Sequence, residues 1–302
     1  MDVEGGQTTG GEITGPDAKL LADIEGLQLT ARTVAQGALA GVHRSLRRGS
    51  SIEFSEHKVY TPGDDVRHID WRAFAKTDRF HIKQFEDETN LRLEILIDHS
   101  GSMGFHTPGH LPKLDYARVL AAALGYLALR QGDATGLFAF AHDVTDELPG
   151  RASSAHLVEL LSRLSRLRPQ GATGVTRCVD IFAQTRRRRA LVVLLSDLFD
   201  PVEQIDAFRR LTARGHDVSV LHLLDPAELT LPYDTPVLFR SMEDTRRLFV
   251  HPRTLRHAYI REMQRFLRNT ARQMSEAGVL YRQITTDVPP ATVLGELLRQ
   301  RH

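Results

Sequence analysis

The arrangement of apolar and polar positions changes character at Leu91. From there, short apolar runs alternate with stretches whose apolar residues recur every three or four positions, the periods of a buried strand and of a helix with one packed face. Leu93, Ile95 and Ile97 predict a strand that ends at Asp98. Lys113 to Arg130 predicts a helix, with Leu114, Ala117, Ala121, Leu124 and Leu127 on one face and Gly132 as its stop. Ala134 to Ala141 reads as a second buried strand, His142 to Glu147 as a turn into an edge segment, and Ser153 to Leu167 as an amphipathic helix with a leucine stripe. Pro169 to Gly174 is a Gly- and Pro-containing loop that opens a helix reaching about Arg186. The aliphatic run Ala190 to Leu195 has the composition of a central parallel strand buried on both faces, and it ends in Ser196-Asp197. A helix over Pro201 to Arg214, a strand over Val218 to Leu224, a helix over Thr254 to Ala277, a strand over Val279 to Thr285 and a last helix over Thr292 to Arg299 complete the alternation. Pro236 to Arg240 and Leu248 to Val250 predict a hairpin joined through Glu243 and Asp244. Alternation of this kind predicts a doubly wound α/β fold with a mostly parallel sheet.

Before Leu91 the pattern is weaker. Residues 1–19 read as a disordered tail, and Leu20 to Leu39 as a helix interrupted near Gly26. Ser51 to Tyr60 alternates like a strand, Thr61-Pro62-Gly63-Asp64 has the order of a type II turn, and Asp64 to Asp87 packs mixed charge around Trp71. The expected organisation is therefore a tail over 1–19, an amino-terminal strand-and-loop subdomain over 20–90, and an α/β domain over 91–302 with a hairpin insertion around 236–250.

Composition removes several classes of function. The 302 residues are 41% hydrophobic and carry a formal net charge of +1, so no global field favours nucleic acid or a membrane surface. One cysteine, Cys178, permits no internal disulfide. The amino terminus lacks the basic and apolar regions of a secretory signal, and Ala190 to Leu195 is far short of the about 20 apolar residues of a membrane helix, so a cytoplasmic protein is expected. Neither Gly-x-Gly-x-x-Gly nor Gly-x-x-x-x-Gly-Lys-Ser/Thr is present, which argues against a nucleotide-dependent enzyme.

The candidate chemistry lies where strands end. In a parallel α/β sheet, ligands sit in the crevice beyond the carboxyl ends of the strands. Asp98, Ser100 and Ser102 follow one strand as Asp-x-Ser-x-Ser; Thr173 lies in the Gly-rich loop, with Thr176 as its rival; Asp197 follows the central strand. All are hard oxygen donors, which suit Mg2+ and also Mn2+ or Ca2+. His99, Met103 and Phe199 flank these loops as candidate partner contacts. The competing reading is a serine hydrolase using Ser100 or Ser102 with Asp197 and a later histidine such as His222 or His251, but neither serine sits in the Gly-x-Ser-x-Gly elbow. His99, His106 and His110 lack zinc-ligand spacing within a regular element.

This set resembles the metal-ion-dependent adhesion site of von Willebrand factor A domains. The resemblance implies that Ser100, Ser102 and Thr173 contact the metal while Asp98 and Asp197 act largely through bound water. Neutral hydroxyl ligands leave the ion electrophilic, with a position for a carboxylate from outside. Upstream, Glu53-Phe54, Tyr60, Gly63, Asp64, Asp65, Arg67, Asp70, Trp71, Lys76 and Lys83-x-Phe85-Glu86-x-Glu88 resemble the signature of the family called domain of unknown function 58. That resemblance implies a non-enzymatic adaptor or co-chaperone working with a MoxR-type AAA+ ATPase. Many members of the family carry amino-terminal membrane helices, and none is readable in this sequence.

Overall fold

The computed structural model describes residues 16–46, 91–199 and 201–299. The elements are α1 (Pro16–Leu46), β1 (Arg92–Asp98), α2 (Lys113–Arg130), β2 (Ala134–Phe140), β3 (Val144–Arg151), α3 (Ser154–Arg166), α4 (Val175–Thr185) and β4 (Leu191–Ser196). They continue with α5 (Pro201–Ala213), β5 (Asp217–Leu224), α6 (Pro226–Thr230), β6 (Val237–Arg240), β7 (Arg247–Val250), α7 (Pro252–Glu276), β8 (Leu280–Thr285) and α8 (Pro290–Arg299). The signature residues Tyr60, Gly63, Asp64, Asp65, Arg67, Asp70, Trp71 and Lys76, with the strand and turn expected over 51–64, lie outside the described residues.

Six strands form one sheet in the order β3-β2-β1-β4-β5-β8. All neighbours are parallel except the edge pair β2 and β3, so the sheet is mostly parallel, as the alternation of elements predicts. The most aliphatic runs occupy the middle because only central strands are covered on both faces. Ile97 stands opposite Leu195, Asp98 opposite Phe140, and Ser196 opposite His222. This register brings the chain out of β1 and β4 side by side at one sheet edge.

Leu93, Ile95 and Ile97 face a layer made by α1, α2, α3 and α8, while Leu96, Phe138, Phe140 and Leu194 face α4, α5 and α7. Each fully buried side chain of this size stabilises by roughly 1.5 to 3 kcal/mol. Among the described residues, no helix is long and apolar enough to cross a membrane.

The first helix departs from expectation. It starts at Pro16, within the stretch expected as a tail, and runs unbroken through Gly26 to Leu46. Ile24, Ala31, Val34, Ala35 and Ala38 are buried against α2, α3 and α8. A glycine inside a helix costs about 1 kcal/mol relative to alanine, which this tertiary packing offsets. Small residues permit a close approach to α8: a Cβ on Gly295 would lie 3.3 Å from the Ala38 carbonyl oxygen, and one on Gly37 would lie 3.3 Å from Ala291.

Candidate metal centre

β1 ends on a fully buried carboxylate. The Ser100 N–H donates to Asp98 Oδ1 at 2.8 Å, turning the chain into a short 3-10 segment over Gly101–Gly104. Two further hydroxyls donate to Asp98 Oδ2: Thr173 Oγ1 at 2.9 Å and Ser196 Oγ at 2.7 Å. Ser100 and Ser102 place their hydroxyl oxygens 3.2 Å apart. The loop residue that bonds Asp98 is Thr173, not Thr176, which belongs to α4. Gly101 cannot be replaced without displacement, because a Cβ there would lie 2.0 Å from the Met242 carbonyl oxygen; its N–H donates to Gly171 O at 2.8 Å.

Asp197 follows β4 and is 3% exposed. Its Oδ2 accepts from Lys113 Nζ at 2.9 Å, and its Oδ1 is buried with no hydrogen-bond partner. Lys113 is fully buried and also donates to Glu228 Oε1 at 2.7 Å. Burial disfavours the ammonium, but Asp197 and then Glu228 outweigh it and hold the Lys113 pKa above its usual range. Glu228 accepts from the Asp225 N–H through its other oxygen at 2.7 Å, completing a capping box on α6. Beyond Asp197 the backbone kinks through Leu198, a non-glycine residue at φ 48° whose N–H donates to Ser196 Oγ at 3.1 Å. Left-handed backbone costs such a residue of order 1 to 3 kcal/mol and clusters at functional sites. Here it buries Leu198 and leaves Phe199 65% exposed.

Charge at the site does not balance. Burial, and after it the Asp197 charge, push the Asp98 carboxyl up to about 7, against the hydrogen bonds from Ser100 and Ser196. Among the described residues, two buried carboxylates and Glu228 face one ammonium. Among the described residues, no three His, Cys, Asp or Glu side chains are grouped to hold an ion. The donors gathered here are of another kind: paired serine hydroxyls, a threonine hydroxyl bonded to Asp98, and a carboxylate oxygen of Asp197 left without a partner. That oxygen-only set, with excess negative charge, fits a hard divalent cation.

Two residues expected as partner contacts are buried. His99 is 2% exposed, with Nδ1 2.8 Å from Arg168 O and Nε2 2.7 Å from Thr145 Oγ1, so it holds loops together. Met103 is fully buried in the core beneath the 3-10 turn. Phe199 does face outward, at the rim of a cavity of about 320 Å³ lined also by Asp197, His222 and Phe266. The hydrolase reading finds no histidine partner: among the described residues none bonds Ser100 or Ser102. His222 Nδ1 is 2.6 Å from the Tyr281 hydroxyl, and burial lowers the His222 pKa to about 4.

Lys113, Ser196, Glu228 and Glu243 escape the sequence reading. A lysine in the first turn of a helix, where the dipole disfavours a cation, is the one local signal among them. Glu243, in the turn between β6 and β7, accepts from the Thr173 N–H through Oε2 at 3.4 Å, and its Oε1 is buried without a partner.

Comparison with known proteins follows this geometry. The chain is 29% identical over 277 residues to the uncharacterized protein Rv1480 of Mycobacterium tuberculosis, covering 90% of this chain and 86% of that one. Among solved structures it is similar to the conserved hypothetical protein BatB of Bacteroides thetaiotaomicron, with a TM-score of 0.45 and 16% identity over 70% of this chain and 98% of the other. The SpRpn10 VWA domain matches with a TM-score of 0.38 and 12% identity, over 68% of this chain and 93% of that domain. At these scores the fold rests on the strand order described above. Residues 56–269, most of the chain and all three loops of the site, match the family described as protein of unknown function DUF58, and the chain belongs to that family.

Proposed function

We propose that this protein is a non-enzymatic, metal-dependent protein-interaction module of the cytoplasm, serving as an adaptor or co-chaperone for a MoxR-type AAA+ ATPase. The observation that carries the reading is the convergence of three loops on Asp98, with hydroxyls from Thr173 and Ser196 bonded to it and the Ser100–Ser102 pair alongside. Ser100, Ser102 and Thr173 are the residues to hold Mg2+, with Mn2+ or Ca2+ as substitutes, and Asp98 and Asp197 stand behind them. An ion held there supplies a positive centre able to accept a carboxylate from another protein. Asp98 orients the Ser100 backbone and the Thr173 hydroxyl, and Lys113 fixes one oxygen of Asp197 so that the other remains available. Among the described residues no histidine bonds either serine, which favours binding over hydrolysis.

The test is a double variant, Ser100→Ala with Ser102→Ala. Isothermal titration should show Mg2+ binding by the native protein and none by the variant. Capture of the cognate ATPase should require Mg2+ and fail with the variant. Capture that persists unchanged in EDTA would sink the proposal.

A further inference from the structure

We infer that Glu243 is an in-chain carboxylate ligand of the candidate metal centre, so that the β6–β7 hairpin closes the site against an acidic partner; the inference rests on the metal-dependent reading above. The hairpin tip lies against the loops that carry the hydroxyls. The Met242 carbonyl oxygen sits where a side chain on Gly101 would stand, at 2.0 Å from its Cβ position, and Met242 Cε approaches the corresponding position of Gly104 at 3.4 Å. Glu243 Oε2 accepts from the N–H of Thr173, the residue whose hydroxyl bonds Asp98.

The side chain lacks the partners that a structural carboxylate keeps. Glu243 Oε1 is buried, and among the described residues it has no hydrogen-bond partner and no lysine or arginine forms an ion pair with Glu243. Arg246, three residues on, pairs with Asp244 at 2.6 Å instead. An unpaired buried carboxylate oxygen is costly, so its retention next to excess negative charge calls for a cation. Asp197 carries a group of the same kind. It is 3% exposed, contributes to the charge felt by Asp98, and keeps Oδ1 buried without a partner. Among the described residues, Asp197 thus adds a second carboxylate oxygen without a hydrogen-bond partner.

Few buried apolar residues hold the hairpin to the main sheet. β6 and β7 pair with each other and not with the main sheet. Of their residues only Val250 is buried, while Leu248 and Phe249 are 65% and 63% exposed. An element with few buried apolar contacts opens at low free-energy cost. A carboxylate on a partner would compete with Glu243 for the same position and lift the tip.

Hydrogen–deuterium exchange with and without Mg2+, together with Mg2+ titration calorimetry, tests this on the native protein, Glu243→Gln and Glu243→Ala. In the native protein, Mg2+ should slow exchange over both 100–104 and 241–246. Both variants should still bind Mg2+, at least about tenfold more weakly, with slowing retained over 100–104 and lost over 241–246. Native affinity and native slowing at 241–246 in both variants would overturn the role of Glu243 while leaving the metal centre standing. Absence of Mg2+ and Mn2+ binding by the native protein would overturn both.

Discussion

A buried lysine is the residue on which the electrostatics of this site turn. Lys113 is enclosed with Asp197 and Glu228, at 2.9 and 2.7 Å. Removing one partner from a buried ion pair leaves an uncompensated charge and costs about 3 to 5 kcal/mol. Lys113→Met keeps the apolar stem and should lower stability by about that amount in urea denaturation at neutral pH. A loss under about 1 kcal/mol would mean that solvent, not Lys113, compensates the two carboxylates. The same residue explains why Asp197 presents one free oxygen and not two: its Oδ2 is already engaged, and only Oδ1 remains unpartnered.

At the scale of elements, α1 is part of the α/β body. Ala31, Ala35 and Ala38 form a narrow stripe of small side chains, and Gly295 on α8 answers Ala38 with a backbone approach that admits no larger pair. Overpacking a close contact of this kind costs about 1 to 3 kcal/mol. Ala38→Leu should therefore lower the thermal midpoint, whereas Leu29→Ala, at a position 67% exposed on the same helix, should leave it nearly unchanged. Equal midpoints for the two variants would show that α1 is not held by this seam. The expected break at Gly26 fails for a related reason. Local propensity registers the glycine, but the burial of Ile24 on one side and Ala31 on the other holds the helix straight through it.

For the whole molecule, ion binding and folding are linked. A ligand that binds only the folded state at 100 times its Kd stabilises by about 2.7 kcal/mol. In a domain of this size each kcal/mol shifts Tm by about 2 to 4 °C. Mg2+ should therefore raise Tm of the native chain and leave Ser100→Ala/Ser102→Ala unmoved; a rise of equal size in both would place the ion elsewhere.

The sequence by itself determined the sheet and the two strand ends. Strand and helix periods are local, and an aliphatic run covered on both faces can only be a central strand, so Asp98 and Asp197 were legible as carboxylates at the strand ends of one α/β sheet. Tertiary structure decided what surrounds them. Lys113 meets Asp197 across 84 positions and Glu228 across 115, and Glu243 meets Thr173 across 70. No period or local spacing encodes such meetings. Burial was equally out of reach one residue at a time: His99 and Met103 lie in a polar, Gly-containing loop in sequence, yet both are buried. Which side a loop residue faces depends on what packs over the loop. Over His99 that is Arg168 and Thr145, and over the 101–104 turn it is the hairpin tip at Met242, brought in from much later in the chain.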